Sequence, residues 1–181
     1  MMKTNGYYDY RLCCISSIPS GLIIGKTFFN TDVRQYGSKN IGATNTYRVI
    51  GLKAALPVFL CDALKGAAGV VLLSSYGPMY MILGGILAMM GHNWSIFLGF
   101  KGGRGVATGL GVLIALSPLV ALLCFLVWGI IVYFTKIVSL CSIVAAALVP
   151  VLMYVTGESY WFVGFGGLAA LFVIVRHWDN I

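Results

Sequence analysis

The sequence predicts an all-α integral membrane protein: a compact bundle of about seven transmembrane helices that forms a single domain over residues 1–181. Two observations predict this class. Hydrophobic residues make up 60% of the chain and charged residues only 9%, against about 25% charged residues in a typical soluble domain. Long apolar runs also recur between short polar loops, and no polar stretch is long enough to form a separate soluble domain.

The helices follow from the lengths of the apolar runs. A bilayer core of about 30 Å needs roughly 20 apolar residues in a helix, and fewer where protein shields the segment. The candidate crossings, in chain order, lie near residues 10–25, 54–76, 78–98, 105–116, 119–135, 137–155 and 160–175. The first of these is short and polar, and the fourth is short and rich in glycine.

The topology depends on residues 105–135, which could form one long helix or two helices separated by a turn at Ser117-Pro118. The charge distribution favours two separate helices. They place nine basic residues on one side of the membrane: Lys26, Arg34, Lys39, Arg48, Lys53, Lys101, Arg104, Lys136 and Arg176. The opposite loops carry only Glu158. By the positive-inside rule, we expect the N-terminus outside and the C-terminus in the cytoplasm.

The net charge of +7 predicts anionic ligands rather than nucleic acid, because the basic residues lie in short loops and form no long basic tail or stripe. Neither His92 nor His177 has a cluster of cysteines or carboxylates beside it in the sequence. We therefore expect no metal site.

Three polar stretches fall on the predicted cytoplasmic face: residues 36–48, 100–109 and 176–180. In the first, short polar side chains suit helix capping or ligand binding, namely Ser38, Asn40, Thr44 and Asn45. Arg48 has the fork geometry that binds phosphate. The alternative is a capped loop between helices, with Arg48 as a topological anchor.

The second stretch combines three glycines with two cations: Gly102, Gly103, Gly105, Lys101 and Arg104. Glycines allow backbone N–H groups to approach an anion, and the N-terminus of the helix that follows favours negative charge. The chain has no Walker motif, so nucleotide triphosphates are not specifically indicated. The alternative is close, glycine-mediated packing of helices.

Further polar residues allow both structural and functional interpretations. His177 and Asn180 would share a face on a helical turn. Asp62 and Lys65 are expected to form an ion pair within an apolar run, either as structure or at the edge of a polar site. Ser142, near the start of a crossing, could cap the helix or bind a ligand.

Two acyl-transfer chemistries are disfavoured by the spacing of residues. The chain contains no G-x-S-x-G nucleophile elbow, and no acidic residue follows either histidine at the five-residue offset of the histidine–aspartate glycerolipid acyltransferases. We therefore expect neither a covalent acyl-enzyme nor that dyad.

Six segments together resemble a known family. They are, in order, "SIPSGLIIGK", "YGSKNIGATNTYRVIG", "LCDALKG", "GHNWSIFLGFKGGRGVATGLG", "SLCSIVAA" and "RHWDNI". They are similar to segments of the bacterial acyl-phosphate:glycerol-3-phosphate acyltransferases of the PlsY family, and the resemblance spans residues 16–181. The chain departs from the family pattern at Lys39, where glycine is common, at Arg104, where lysine is usual, and at Trp178, where arginine is common.

The resemblance implies transfer of a fatty acyl group from acyl phosphate to the 1-hydroxyl of glycerol 3-phosphate. The products would be lysophosphatidic acid and phosphate, in the first acylation step of phospholipid biosynthesis. It also implies a multi-pass protein of the bacterial inner membrane, surrounded by lipid, with its site facing the cytoplasm. We expect no cofactor and a monomer. A small transporter or channel for phosphate-bearing solutes is the alternative.

The resemblance also implies roles for individual residues. The catalytic set would be Ser38, Asn40, Arg48, His177 and Asn180. The substrate-binding set would be Thr44, Asn45, Lys101, Gly102, Gly103, Arg104, Gly105 and Ser142.

Overall fold

The computed structural model describes residues 7–177, with side chains described from residue 12. Within that range the chain is helical and has no β-strand. The helices are α1 (Tyr7–Ser16), α2 (Ser20–Phe29), α3 (Ala43–Val49), α4 (Leu52–Leu73), α5 (Pro78–Asn93), α6 (Val106–Leu116), α7 (Pro118–Thr135), α8 (Val138–Val155) and α9 (Tyr160–Arg176). Short 3₁₀ turns occur at Val33–Gln35, Ser74–Tyr76 and Ile96–Leu98.

Four helical segments are long and apolar enough to cross a membrane: Leu52–Tyr76, Pro78–Leu98, Pro118–Thr135 and Val138–Val155. Three shorter apolar helices accompany them: Ser20–Phe29, Val106–Leu116 and Tyr160–Arg176. The all-helical architecture is as predicted. The count of about seven crossings and the orientation of the termini stay predictions.

The segment predicted as one crossing near residues 10–25 is two separate ten-residue helices, α1 and α2. Pro19 explains the break, because it has no N–H group to continue the ladder and it disfavours helical geometry at Ile18. The carbonyl oxygen of Ile18, freed from the helix, accepts a hydrogen bond from Lys65 Nζ. The single-helix prediction was wrong because it gave this proline no weight.

The predicted break at Ser117-Pro118 is confirmed. Helix α6 ends at Leu116, Ser117 is extended with φ −150° and ψ 87°, and α7 begins at Pro118. Proline suits the first position of a helix, because the N–H group there has no intrahelical partner. Residues 105–135 therefore form two helices, as the charge distribution indicated.

Helix α4 packs closely against α6 through glycine. A β-carbon on Gly66 would lie 2.0 Å from the carbonyl oxygen of Thr108, and one on Gly111 would lie 1.8 Å from that of Ala63. Only glycine allows the two backbones to approach so closely. Helix α6 is thereby fixed against α4, and its N-terminus has a defined position.

The outer surface of α7 carries a stripe of exposed apolar side chains: Leu119, Leu122, Leu126, Ile130 and Phe134. Their spacing of three or four residues places them along one face of the helix. An apolar surface of this extent is typical of a helix that faces lipid, because apolar side chains in contact with lipid are not exposed to water.

Asp62 and Lys65 form the predicted ion pair, with 3.0 Å between Oδ1 and Nζ. The same carboxylate oxygen accepts a hydrogen bond from Ser20 Oγ at 2.7 Å, and His92 Nδ1 lies 3.6 Å from it. An isolated charge among apolar helices would be costly, and these neighbours compensate it. The cluster joins α2, α4 and α5 on one side of the cavity described next.

Candidate active site

A cavity of about 660 Å³ extends from residues 36–48, a loop followed by α3, into the space between α6, α7, α8 and α9. Its volume lies within the roughly 300–1,000 Å³ of typical small-molecule pockets. Nine predicted site residues line it: Ser38, Asn40, Thr44, Asn45, Arg48, Arg104, Gly105, Ser142 and His177. Lys101, Gly102 and Gly103 are not among its lining residues, and Asn180 lies outside the described residues.

Asn45, on α3, holds the preceding loop at residues 36–42 in place. Its Oδ1 accepts the N–H of Ser38 at 2.8 Å, and its Nδ2 donates to the carbonyl oxygens of Val33 and Asn40, both at 2.8 Å. Both polar atoms of this buried amide therefore have hydrogen-bond partners within the protein. The structure gives Asn45 a positioning role, which fixes Ser38 and Asn40 at the cavity wall, and its contact with a ligand stays a prediction.

Two residues of the same loop have a left-handed backbone conformation. Gly37 has φ +58° and Lys39 has φ +57°. Glycine adopts this conformation without strain, whereas other residues adopt it at a cost of about 1 kcal/mol or more. The conformation at Lys39 explains why glycine would be common at this position.

Helix α3 brings Thr44 and Arg48 to the cavity on one face, four residues apart. Both side chains are exposed at the cavity mouth. Among residues 12–177, no side-chain partner is found for the Arg48 guanidinium. It is therefore available to an anion that enters the cavity.

The glycine-rich loop before α6 packs against the end of α5. The N–H groups of Gly102 and Gly103 donate to the carbonyl oxygens of Asn93 and His92, each at 3.1 Å. A β-carbon on Gly102 would lie 2.0 Å from the His92 carbonyl oxygen, and one on Gly103 would lie 2.2 Å from His92 Nε2.

These contacts correct the predicted role of the two glycines. The sequence predicted that the N–H groups of Gly102 and Gly103 would face an anion, but both are taken up by carbonyl groups of α5. The alternative of close glycine packing describes them better, because no side chain fits between this loop and His92. Lys101 is exposed and lies outside the cavity lining.

The N-terminus of α6 faces the cavity. Gly105 caps the helix with φ +78°, and Val106 and Ala107 of the first turn also line the cavity. The first N–H groups of a helix have no intrahelical acceptor and carry partial positive charge. With Arg104 beside them, they make this end of the cavity favourable for an anion.

His177 lies directly after α9, buried in the cavity wall. Its Nδ1 is 2.8 Å from the carbonyl oxygen of Val173. A carbonyl only accepts hydrogen bonds, so Nδ1 carries the proton and Nε2 keeps its lone pair. Burial lowers the pKa of His177, and the nearby positive charges of Arg104 and Arg176 lower it further, against the opposing effect of the Val173 bond. The imidazole is therefore neutral at neutral pH.

Arg176 connects the end of α9 to the glycine-rich loop. Its Nη2 donates to the carbonyl oxygen of Gly103 at 3.0 Å. This bond holds His177 and Arg104 on neighbouring parts of the same cavity wall. Sequence reasoning had treated Arg176 only as a topological charge.

Ser142 lies deeper in the cavity and is buried. Its Oγ donates to the Val138 carbonyl oxygen at 2.9 Å and is 3.4 Å from the donor Trp128 Nε1. Beyond it, the lining is apolar and includes Phe125, Val149 and Met153. Sequence reasoning missed this interior, although small residues repeated along α8 and α9 were a usable signal.

Comparison with known proteins assigns the family. The family model described as Glycerol-3-phosphate acyltransferase matches residues 12–181. A protein of that name from Fusobacterium nucleatum is 44% identical over 169 residues, which cover 92% of this chain and 87% of that protein. The chain belongs to the glycerol-3-phosphate acyltransferase family. A second member, glycerol-3-phosphate acyltransferase 2 of Moorella thermoacetica, is 46% identical over 168 residues and has the same coverage.

Two solved structures share the fold of this family member. Both are crystal structures of PlsY (YgiH), described as an integral membrane glycerol 3-phosphate acyltransferase. The glycerol 3-phosphate form has a TM-score of 0.90 and 36% identity, and covers 96% of this chain and 88% of that one. The form with lysophosphatidic acid has a TM-score of 0.87, 35% identity and the same coverage. The resemblance seen in the sequence is thus confirmed, and the chain is a membrane acyltransferase of phospholipid biosynthesis.

Proposed function

We propose that the protein transfers a fatty acyl group from acyl phosphate to the 1-hydroxyl of glycerol 3-phosphate, yielding lysophosphatidic acid and inorganic phosphate. One observation carries the proposal: a single cavity joins a cationic end to an apolar interior. Both the donor and the product have a phosphate joined to a long hydrocarbon chain. Such molecules match both ends of this cavity at once.

The phosphate groups would bind at the cationic end. Arg48 and Arg104 line that end together with the first turn of α6. Arginine binds phosphate through paired N–H donors, and a helix N-terminus adds backbone donors. Ser38, Asn40 and Thr44 supply short polar groups for the glycerol hydroxyls. Asn180 belongs to the proposed catalytic set by family resemblance.

The reaction depends more on the alignment of the two substrates than on a strong base. The 1-hydroxyl oxygen of glycerol 3-phosphate attacks the carbonyl carbon of acyl phosphate, a C–O bond forms, and the bond from the carbonyl carbon to the phosphate oxygen breaks. Phosphate leaves with that electron pair and is a good leaving group. The protein accelerates the step by holding the two reactants together and by stabilising the developing negative charge with Arg48 and Arg104.

The hydroxyl proton has two suitable acceptors: Nε2 of His177 and a phosphate oxygen of the substrate. The sequence places no carboxylate to orient His177, which favours the phosphate. The Val173 carbonyl supplies an orienting partner instead and leaves Nε2 as an acceptor. A His177→Gln variant separates the two: near-normal kcat supports the phosphate, and a loss of about a hundredfold or more supports His177.

The identity of the donor is tested by direct competition. Purified protein in detergent receives glycerol 3-phosphate with either palmitoyl phosphate or palmitoyl-CoA, without added metal. We expect lysophosphatidic acid from palmitoyl phosphate alone, because the described site has cationic positions for compact phosphates and the sequence lacks the histidine–aspartate dyad. Equal turnover with palmitoyl-CoA would reject the proposed donor, and no turnover with either would favour the transporter.

The orientation in the membrane is also a proposal: N-terminus outside, and active site and C-terminus in the cytoplasm of a bacterium. The basic residues of the loops support it. Single-cysteine labelling in a background without the native cysteines tests it. Position 158 should react in intact cells, and position 39 only after the inner membrane is permeabilised. Labelling of position 39 in intact cells would overturn the orientation.

A further inference from the structure

The apolar interior of the cavity runs between two stripes of side chains. The stripe on α8 consists of Ser142, Ala145, Ala146, Val149 and Met153. The stripe on α9 consists of His177, Val173, Ala170, Ala169 and Gly166. In both, the members are adjacent or follow one another at three or four residues, so each stripe occupies one face of its helix.

Small residues create the space between the two helices. Ala145 and Ala146 on α8 and Ala169 and Ala170 on α9 carry only a β-carbon, and all four line the cavity. Small side chains on both helices leave a channel that a linear hydrocarbon chain can fill. The channel begins at the cationic end, beside His177 and Ser142.

The far end of the channel lies at Met153 and Gly166. Met153 is eleven residues beyond Ser142 on α8, and Gly166 is eleven residues before His177 on α9, so both lie about 16 Å from the polar end at 1.5 Å per residue. Met153 is fully buried and belongs to a cluster behind the channel formed by Leu113, Val120, Ala121, Cys124 and Met153. A β-carbon on Gly166 would lie 3.0 Å from Met153 Sδ. The two helices therefore meet at this level without spare room.

We propose that Gly166 and Met153 set how far the acyl chain enters the bundle, and so the chain length that the protein prefers. Met153 forms the floor of the channel, and the absence of a side chain at Gly166 lets α9 pack directly against Met153 and hold it there. This inference rests on the proposed function, because the chain being measured is that of the acyl donor. It assigns chain-length selection to one pair of positions at one depth.

The test compares Gly166→Leu with Gly164→Leu. Gly164 lies on the same helix, is exposed, does not line the cavity and has no atom within 4 Å of its would-be β-carbon. The measurement is kcat/KM with octanoyl, lauroyl and palmitoyl phosphate. Each methylene that loses its buried position lowers kcat/KM by about fourfold. We expect Gly166→Leu to lose at least tenfold on palmitoyl phosphate relative to octanoyl phosphate, and Gly164→Leu to keep the wild-type profile.

Changes at Met153 provide a second, independent test. Met153→Phe raises the floor and should shorten the preferred chain, whereas Met153→Ala lowers it and should improve stearoyl phosphate relative to lauroyl phosphate. These variants keep the inference testable if Gly166→Leu does not fold. Unchanged chain-length profiles in the folded variants at both positions would overturn it.

Octanoyl phosphate separates this inference from the proposed function. Its chain is too short to reach Met153, so every folded variant should turn it over at the wild-type rate. Turnover of octanoyl phosphate with no shift in chain preference would refute the chain-length role alone. Failure of the wild-type protein to use any acyl phosphate would refute the proposed function, and the chain-length role with it.

Discussion

Two loops reach the cationic end of the cavity, and they are held by different forces. The loop at residues 36–42 is held by one side chain, the amide of Asn45 on α3, which bonds to Ser38 and Asn40 of the loop and to Val33 before it. The loop at residues 101–105 is held by the absence of side chains, because Gly102 and Gly103 lie directly against His92 and Asn93. In both cases glycine beside cations indicates a loop at the cationic end of the cavity, but does not show which atoms face a ligand.

In the proposed site, side chains of the first region contact the ligand and the glycines of the second region support it. Arg48→Ala should therefore have the largest effect, lowering kcat by roughly a hundredfold or more, because it removes a cation that stabilises developing charge. Steady-state kinetics with acyl phosphate measure the loss.

Arg34→Ala is the matched control for that variant. Arg34 is exposed, pairs with Asp32 at 2.7 Å and does not line the cavity. Surface ion pairs contribute little to stability, so its removal should leave kcat within about twofold. Similar kcat values for the two variants would contradict the role given to Arg48.

Gly103→Ala should act through the position of the loop. The new methyl group collides with the His92 ring and displaces the loop from α5, at a cost of about 1–3 kcal/mol in unfolding free energy. Because Arg104 moves with the loop, we expect the KM for glycerol 3-phosphate to rise about tenfold. Gly129→Ala in α7, where the β-carbon meets nothing within 4 Å, is the control. Unchanged KM and unchanged thermal stability in Gly103→Ala would refute the packing role.

The substitution Asn45→Ala tests the support that the amide of Asn45 gives to the first loop. The substitution leaves the N–H of Ser38 and the carbonyl groups of Val33 and Asn40 without this partner, which should cost about 1–3 kcal/mol of stability. Activity should fall severalfold because Ser38 and Asn40 lose their fixed positions. Thermal unfolding and kcat/KM on the same preparation measure both effects. A stable variant with wild-type activity would show that the loop does not depend on this amide.

His177 makes stability depend on pH in a defined direction. Its pKa in the folded protein lies below the ordinary value of 6.5, so the unfolded chain binds the proton more readily. Stability from this group is therefore complete above about pH 6.5 and falls as the pH drops towards the lowered pKa. The Tm measured across this range should decline less in His177→Gln than in wild type. An equal decline in the two proteins would contradict the lowered pKa.

Lys39→Gly should have the smallest effect. Glycine removes the cost of the left-handed conformation at this position, so stability should rise by up to about 1 kcal/mol. The exposed Lys39 ammonium has no assigned ligand contact, and kcat/KM should stay within about twofold. Denaturant unfolding measures the gain, and a loss of stability would show that the lysine makes a contact of its own.

Structural features that depend on composition and on residues close together in the sequence were predictable from the sequence. The break at Ser117-Pro118 follows from proline chemistry and charge, and nine of the proposed site residues line one cavity because their segments share a face. Features that depend on distant contacts were not predictable. The packing of Gly103 requires His92 to lie against it, and the floor at Met153 requires α8 and α9 to be paired at the correct level.

The central claim, that this cavity transfers an acyl group between two phosphate-bearing molecules, is tested most directly by the stoichiometry of its products. Purified protein is incubated with palmitoyl phosphate, with or without glycerol 3-phosphate, and inorganic phosphate and lysophosphatidic acid are measured in the same samples. We expect equal amounts of the two products when both substrates are present, and only background phosphate when glycerol 3-phosphate is omitted. Rapid phosphate release without glycerol 3-phosphate, or release without lysophosphatidic acid, would contradict acyl transfer at this site.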